Sequence, residues 1–290
     1  MSTYTEPLTH DNLPVARPYQ LILEPGRAEQ QYWRDLWRYR ELFQVLAWRD
    51  ISVRYKQTVI GVAWALIRPV LTIIVFTVIF GNLANLKSEG TAPYALMVCA
   101  GMLPWILFST ALADASNSLV SNANLISKVY FPRLIVPAAT IVVAFIDFLI
   151  SFSILLLMMV WYQFVPGWQI LFLPLFVLLA FAASLGPALW VTSLNVKYRD
   201  FRYIIPFIVQ FGLYVSPVGF SSSVIPEQYR LLYSLNPVVG VIDGFRWCVL
   251  GGESQLYLPG FAASLAITVF FLWFGIRQFR KMERTFADLI

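Results

Sequence analysis

Two long apolar segments of this chain are separated by only a short basic turn. Residues 168–194 are nearly all hydrophobic, the turn at 195–202 carries Lys197, Arg199 and Arg202, and the next apolar segment begins at Tyr203. The helices of a soluble protein keep a polar face toward water, so a soluble core does not need two such segments joined this closely. The pattern is typical of a helical hairpin that crosses a membrane and turns on the cytoplasmic side.

The composition agrees with a membrane location and excludes several kinds of site. Hydrophobic residues make up 59% of the chain and charged residues only 13%, about half the share found in soluble domains. Cys99 and Cys248 lie in apolar surroundings without metal-ligand spacing, so the cysteines indicate neither a disulfide framework nor a metal site. The one histidine, His10, is in the polar N-terminal tail, which leaves none for a zinc site or a catalytic triad in the body of the chain.

Six segments are long enough to cross a hydrocarbon core of about 30 Å as helices. They are residues 59–84, 94–113, 134–163, 168–194, 203–220 and 256–276. Backbone groups in lipid must be paired within their own segment, which favours helices over strands. We therefore predict an all-α polytopic membrane protein with six transmembrane helices. Residues 35–290 form its transmembrane domain, and the proline-containing residues 1–34 form a flexible cytosolic extension.

The distribution of lysine and arginine predicts the orientation of these helices. Fourteen of these cations lie in the N-terminal flank at residues 38–56, in the two connections after the second and fourth spans, and in the C-terminal tail. The connections on the opposite side carry three, namely Lys87, Arg230 and Arg246. Short cytoplasmic loops are enriched in such cations, so both termini are predicted to be cytoplasmic.

Two further segments do not fit a plain six-helix bundle. Residues 42–56 carry two apolar stripes with Arg49, Arg54 and Lys56 between them, a pattern typical of a helix lying in the membrane interface. An ordinary basic membrane flank is the alternative. Residues 225–252 are too apolar for a solvated loop and too short for two crossings, so they are predicted to form a re-entrant or interfacial helical pair on the external side.

Four sequence blocks resemble the type-2 ABC exporter permeases that export polysaccharides, and the resemblance extends from residue 36 to the C-terminus. The blocks are Arg49-Asp50-Ile51 and Arg54-Tyr55-Lys56-Gln57 with Gly61, Trp64 and Pro69; Lys128-Val129-Tyr130-Phe131-Pro132-Arg133; Asn195-Val196-Lys197-Tyr198-Arg199-Asp200; and Asn236-Pro237 with Asp243 and Arg246. Within this family the chain is most similar to the O-antigen export permeases of Gram-negative inner membranes. Capsule and teichoic-acid permeases share the blocks.

The resemblance implies a homodimer in the bacterial inner membrane that works with two copies of a separate ATPase subunit. ATP and Mg would be bound by that partner, because this chain lacks the Gly-x-x-x-x-Gly-Lys-Ser/Thr phosphate loop and is therefore not itself an ATP-hydrolysing enzyme. The implied substrate is a polyprenyl-pyrophosphate-linked glycan, with O-antigen as the preferred assignment. The implied role is in lipopolysaccharide biosynthesis. Membrane lipids are expected partners and nucleic acid is not.

The resemblance also implies roles at the cytoplasmic end. The segment with Arg49, Arg54 and Lys56 resembles the gate helix, and its cations are suited to pair with pyrophosphate; anionic lipid is the alternative ligand. Arg68 in the first span is a second cargo candidate, unless it reaches the interface from a kink at Pro69, and Asp147 is its candidate partner. ATPase coupling is implied for Asn117, Asn122, Asn124, Lys128, Tyr130, Phe131 and Arg133. A solvated loop, with Tyr130 and Phe131 as interfacial aromatics, is the alternative there.

Aromatic residues of the first and fifth spans are implied to line the translocation path. These residues are Phe76, Phe80, Phe207, Phe211 and Tyr214, together with Gln210. Aromatic rings offer apolar faces to sugar C–H groups, while tyrosine and glutamine offer hydrogen bonds; packing against lipid or other helices is the alternative. An external gate is implied for Tyr229, Tyr233, Asn236 and Trp247, with interfacial anchoring as its alternative.

Three other functions are the alternatives to polysaccharide export. A drug or lipid exporter permease would share the same architecture. An enzyme acting on lipid-linked sugars would need a carboxylate or metal cluster, but the spans offer only Asp147 and the interface-proximal Asp114. A secondary transporter would be expected to show inverted repeats and several intramembrane ionisable groups, neither of which is evident.

Overall fold

The computed structural model describes residues 28–56, 62–251, 254, 256–283 and 286, and the elements in these ranges are helical. The α-helices are α1 (Ala28–Arg38), α2 (Arg40–Lys56), α3 (Val62–Phe76), α4 (Tyr94–Ser121), α5 (Ala123–Lys128), α6 (Ile135–Trp161), α7 (Leu173–Lys197), α8 (Phe201–Val215), α9 (Glu227–Tyr233), α10 (Pro237–Val249) and α11 (Leu258–Glu283). A π-helical segment (Thr77–Leu83) continues α3, and 3₁₀ turns occupy Trp168–Phe172 and Ser222–Val224. The all-α prediction is confirmed over these ranges.

Five helical segments are long and apolar enough to cross a membrane. They are Ala63–Leu83, Tyr94–Ser121, Ile135–Trp161, Trp168–Lys197 and Leu258–Glu283. The fifth predicted span corresponds to α8, which ends at Val215 because Ser216 and Pro217 follow. Its 15 residues extend about 22 Å, less than the hydrocarbon core of about 30 Å. The count of six crossings therefore stays a prediction.

Helix α4 forms the centre of the bundle and packs against α6, α7 and α10. Its buried residues recur around the whole helix, including Leu96, Leu103, Leu107 and Ala111. The helix is longer than the predicted second span because it continues through polar residues to Ser121. The predicted coupling residues Asn117 and Asn124 therefore lie on two different helices, α4 and α5.

Glycine allows α7 and α11 to approach each other closely. A Cβ atom added at Gly275 would lie 2.1 Å from the carbonyl oxygen of Gly186. Small residues at such crossings let two backbones come into contact, which is the usual way helices associate in membranes. Trp190 packs edge-to-face against Phe274 nearby, with ring centroids 5.4 Å apart.

The helical pair predicted between the fifth and sixth spans is observed as α9 and α10. Pro237 is the first residue of α10, and the Asn236 side chain accepts a hydrogen bond from the Val238 N–H at 3.1 Å, which caps the helix. Gly240 and Gly244 do not interrupt α10. They let it pack closely against α11 and α7, where added Cβ atoms would lie within 2.6 Å and 1.8 Å of neighbouring side chains.

A second hydrophobic cluster lies at the end of the bundle where α2, α5 and the C-terminal part of α11 meet. It includes Leu46, Ile126, Phe131 and Phe279. This cluster seats α2 against the bundle. Residues 28–34, which the sequence assigns to the flexible extension, belong to α1, whereas residues 1–27 of that extension and the motif residues Gln57 and Gly61 lie outside the described residues.

Candidate functional site

Arg54 of α2 joins this helix to two membrane-spanning helices. Its Nη1 atom lies 2.6 Å from Asp114 Oδ2 on α4, and its Nη2 atom lies 2.7 Å from Asp147 Oδ2 on α6. Asp147 is nearly buried, with 10% of its side chain exposed, whereas 38% of the Arg54 side chain is exposed. A single arginine at the rim of the bundle therefore bridges carboxylates from two different helices.

Tyr55 engages the other oxygen of the same carboxylate. Its hydroxyl group donates a hydrogen bond to Asp147 Oδ1. Burial, followed by this hydrogen bond, raises the pKa of the Tyr55 phenol well above its ordinary value. We refer to Arg54, Tyr55, Asp114 and Asp147 as the Arg54 network, and both oxygens of Asp147 are occupied within it.

Arg49 makes a further contact between α2 and the C-terminal end of α4. Its Nη2 atom donates to Asn122 Oδ1 at 2.8 Å and pairs with the adjacent Asp50 Oδ1 at 2.7 Å. Asn122 is thereby engaged within the chain. Lys56, the last residue of α2, is exposed.

Asp147 pairs with Arg54 and not with Arg68, its candidate partner in the sequence analysis. Among the described residues Arg68 forms no ion pair, and it acts on Asp147 only as a more distant charge. Its side chain is exposed on α3, and that helix continues through Pro69. The pairing follows from the packing of α2 against α6, a long-range contact that no local pattern encodes.

The aromatic residues predicted to line the path form two groups. Phe76 is buried and packs against Phe80 and Tyr214, with ring centroids 5.2 Å and 6.5 Å away, respectively. Phe207 and Phe211 stack on each other along α8 at 5.9 Å. The structure thus brings the first and fifth predicted spans together but buries Phe76 between them.

One face of α8 presents the remaining polar and aromatic members of the predicted path. Phe207, Phe211 and Tyr214 are each more than half exposed, and Gln210 is exposed beside them. A helix with aromatic rings and an amide on one open face offers both apolar contact and hydrogen bonding to a ligand. Phe80 is only partly buried next to this face.

The residues predicted to couple to an ATPase separate into internal and external positions. Asn117 accepts a hydrogen bond from Asn195 at 3.1 Å, and Phe131 is buried in the second hydrophobic cluster. The Arg133 backbone N–H donates to Glu283 Oε1 at 2.6 Å, and its guanidinium donates to the Glu283 carbonyl. Asn124, Lys128 and Tyr130 are exposed, and Tyr130 is 70% accessible. These three residues form the solvent-exposed face of the segment that follows α4.

The residues predicted for the external gate lie around α9 and α10. The Tyr233 hydroxyl donates to the Val215 carbonyl at 2.8 Å, which ties α9 to the end of α8. The Asn236 amide donates to Ser216 Oγ at 3.1 Å. Trp247 packs edge-to-face against Trp168, with centroids 6.0 Å apart. Tyr229 is more than half exposed.

Arg246 has an internal role that its assignment to an external loop did not suggest. The side chain is fully buried, and its guanidinium donates to the carbonyls of Val218 and Phe220, both at 2.8 Å, and of Met97 at 3.3 Å. These bonds fix the turn that follows α8. The signal for this role in the sequence is the lone cation within an otherwise apolar helix.

One known protein family matches the part of the chain that contains these residues. The ABC-2 type transporter family model matches residues 41–250, well over half of the sequence. The chain belongs to the ABC-2 type transporter family. The matched region contains the Arg54 network, the exposed face of α8, the segment after α4 and the α9–α10 pair.

Individual relatives of this ABC-2 type transporter extend over nearly the whole chain. The O-antigen export system permease protein RfbA of Myxococcus xanthus is 26% identical over 259 residues, covering 89% of this chain and 98% of that protein. A Klebsiella pneumoniae protein with the same description is 24% identical over 257 residues, with 86% and 95% covered. As a member of this family the chain is a multi-pass membrane transport protein, in agreement with its apolar helices.

Proposed function

We propose that this chain is the permease subunit of an ATP-driven exporter that moves polyprenyl-pyrophosphate-linked O-antigen across the bacterial inner membrane. The observation that carries the proposal is the similarity to O-antigen export permeases over almost their full length. The functional unit is a homodimer with two copies of a separate ATPase subunit, which binds ATP and Mg. Both termini face the cytoplasm.

Lys56 and Arg68 are the cations of the gate region that stay available to an anionic headgroup. Both are exposed, and neither forms an ion pair among the described residues. Arg54 is committed to two carboxylates, so it receives pyrophosphate only by exchanging partners. Phosphate oxygens are suited to that exchange because they form strong charge-assisted hydrogen bonds with a guanidinium group.

The exposed face of α8 forms the surface along which the glycan moves. Phe207, Phe211 and Tyr214 provide a row of rings, and Gln210 adds an amide. Such contacts do not depend on one sugar identity, which suits a repeating polymer. In a homodimer this face meets its symmetry mate across the path, whereas the buried Phe76 supports α8 from behind.

The solvent-exposed face of the segment that follows α4 docks with the ATPase. Asn124, Lys128 and Tyr130 provide an amide, a cation and an aromatic ring, a combination suited to a reversible, partly hydrated interface. Asn117, Asn122, Phe131 and Arg133 hold this surface from inside. Movement of the ATPase is thereby transmitted to α2 through Asn122 and Arg49, and to α11 through Arg133 and Glu283.

Deletion and complementation in the source bacterium test the proposal. Deletion of the chain is expected to abolish surface O-antigen and to leave lipid-linked glycan inside the cell. The purified complex is expected to contain an ATPase subunit whose ATP hydrolysis rises when the lipid-linked glycan is added. Normal surface O-antigen after deletion, with loss of a capsule or of drug resistance, would contradict the assigned substrate.

A further inference from the structure

A cavity of about 1110 Å³ lies between α1, the segment at residues 130–133 and the C-terminal part of α11. Its described lining includes five cations, which are Arg38, Arg133, Arg277, Arg280 and Lys281. Asp35 and Glu283 are the carboxylates of the same lining. Because the cations outnumber the carboxylates, the local potential is positive and favours an anionic ligand.

Contacts within the chain hold the walls of this cavity together. The Glu283 Oε1 atom accepts a hydrogen bond from the Arg133 backbone N–H at 2.6 Å, which joins residues 130–133 to α11. The Arg280 guanidinium lies over the Tyr32 ring at 4.7 Å, which joins α11 to α1. Glu283 and Arg280 therefore serve the walls, and the remaining cations decide what the cavity binds.

Three of the lining cations are accessible to a ligand. Arg38, Arg277 and Lys281 are exposed, and none of them forms an ion pair among the described residues. The Arg277 guanidinium lies over the Trp273 ring at 5.2 Å, a contact that leaves its N–H donors available. Accessible cations from both α1 and α11 thus border the same cavity.

A row of side chains on α11 places the cavity at the level of the lipid headgroups. Val269, Trp273, Arg277 and Lys281 are spaced four residues apart, so they are neighbours along the helix surface, and all four are exposed. The row changes from aliphatic to aromatic to cationic toward the end of this candidate membrane span. Tryptophan is enriched where a membrane meets water. The exposed apolar surface of α11 therefore leads directly into the cavity.

Helix α1 contributes a wall with the character of a helix that lies in the membrane interface. Its 11 residues are too few to cross a membrane. Trp33 and Trp37 are exposed, and each is followed by an exposed arginine, Arg34 or Arg38. Exposed tryptophan beside arginine is typical of interfacial helices. A cavity between this helix and the exposed surface of α11 is suited to a lipid rather than to a soluble protein.

We propose that this cavity binds the headgroup of an anionic phospholipid from the leaflet at the C-terminal end of α11. Phosphate oxygens form strong charge-assisted hydrogen bonds with guanidinium and ammonium groups. Basic pockets beside membrane helices bind the cardiolipin headgroup in this way, and its two phosphates match cations on two walls. We call the cavity the phospholipid site. The inference goes beyond the proposed function, because it requires that α11 crosses a membrane and holds for any cargo.

Lipid titration of the purified full-length chain tests the phospholipid site. Native mass spectrometry in phospholipid-free detergent measures the affinity for added cardiolipin, phosphatidylglycerol and phosphatidylethanolamine. Cardiolipin is expected to bind most tightly, and phosphatidylethanolamine, which has no net charge, at least about tenfold more weakly. Removal of both accessible cations of α11 in Arg277→Gln/Lys281→Gln is expected to weaken cardiolipin binding about thirtyfold, or about fivefold for each cation.

Two further variants separate the site from charge in general and from folding. Lys197→Gln/Arg199→Gln is the matched control, because it removes two exposed cations outside the cavity, one of which also lies over an aromatic ring, that of Tyr198. Its cardiolipin affinity is expected to change less than about twofold. Arg277→Lys/Lys281→Arg keeps both charges and is expected to stay within about threefold of the wild-type affinity. All variants are expected to keep the wild-type melting temperature without lipid, because the replaced side chains are exposed.

Four outcomes would overturn the phospholipid site. These are equal cardiolipin affinity in wild type and Arg277→Gln/Lys281→Gln, an equal loss in the matched control, and equal binding of phosphatidylethanolamine. The fourth is loss of bound cardiolipin when the ATPase subunit is added, which would place the ATPase in the cavity, since Tyr130 also borders it. Polyprenyl pyrophosphate is titrated in parallel, and tighter binding than cardiolipin at Arg277 and Lys281 would replace the phospholipid by the cargo. None of these results bears on whether deletion of the chain abolishes surface O-antigen, which tests the proposed function.

Discussion

Replacement of Arg54 by alanine is expected to weaken the attachment of α2 to the membrane-spanning bundle without preventing insertion. Arg54 lies 2.6 Å from Asp114 and 2.7 Å from Asp147. A hydrogen bond to a charged group contributes about 1.5–3 kcal/mol. The exposed fraction of Arg54 exceeds one third, so solvent screening reduces the net loss for the two contacts to roughly 2 kcal/mol. That loss corresponds to about a thirtyfold increase in the opening equilibrium.

Hydrogen exchange of the α2 backbone amides measures this opening directly. In the Arg54→Ala variant the amides of α2 are expected to exchange about thirtyfold faster, while those in the centre of α4 keep their wild-type rates. Arg49→Ala is the matched control on the same helix, and its half-exposed contacts predict at most about a threefold change. Wild-type exchange in Arg54→Ala would refute the claim that the Arg54 network contributes to holding α2 against the bundle.

A double-mutant cycle assigns the effect to the Asp147 carboxylate. The effects of Arg54→Ala and Asp147→Asn are expected to be non-additive by at least about 1 kcal/mol, because each removes the same contact. Arg68→Ala and Asp147→Asn are expected to be additive within about 0.5 kcal/mol, because Arg68 makes no ion pair there. The reverse result would place Arg68 at Asp147 in the working protein. Export by Arg54→Ala cells is expected to fall, and full export would contradict a role for Arg54 in the gate.

Four further substitutions test the packing, the coupling surface and the path. Gly275→Ala is expected to lower thermal stability by about 1–3 kcal/mol, because its Cβ would meet the rigid Gly186 carbonyl; an unchanged melting temperature would contradict that crossing. Tyr130→Ala should reduce ATPase co-purification at unchanged stability, whereas Phe131→Ala should destabilise the fold by about 3–5 kcal/mol; identical behaviour would contradict the internal and external assignment. Phe211→Ser should slow export, and an unchanged rate would place Phe211 against lipid.

The extent of sequence prediction differs between the helices and the site. Apolar length predicted five of the spans, because a stretch of about 20 apolar residues has few other uses. The apolar character and the length of residues 225–252 predicted the α9–α10 pair but not its packing, in which Gly240 and Gly244 serve as contact points. The fifth span was predicted to extend to residue 220, but α8 ends at Val215. Ser216 and Pro217 lower the hydrophobicity of the segment too little to mark the helix end in the sequence.

The coupling residues show why side-chain roles could not be predicted one by one. Tyr130 and Phe131 are adjacent and aromatic, yet Tyr130 is exposed and Phe131 is buried. Their backbone lies beyond the end of α5, where no helical periodicity assigns a face. Only the position of α11 and α2 decides which ring has neighbours.

The sequence by itself determined the membrane character of this protein, its helical class and its family, because those properties follow from local hydrophobicity and from motif order. Tertiary structure alone decided that Arg54 pairs with Asp114 and Asp147, and that the buried Arg246 guanidinium donates to the carbonyls of Met97, Val218 and Phe220. Arg54 and Asp147 are 93 positions apart in sequence. Ion pairs and hydrogen bonds depend on distances of a few ångströms between remote residues, which only the packing of the helices establishes.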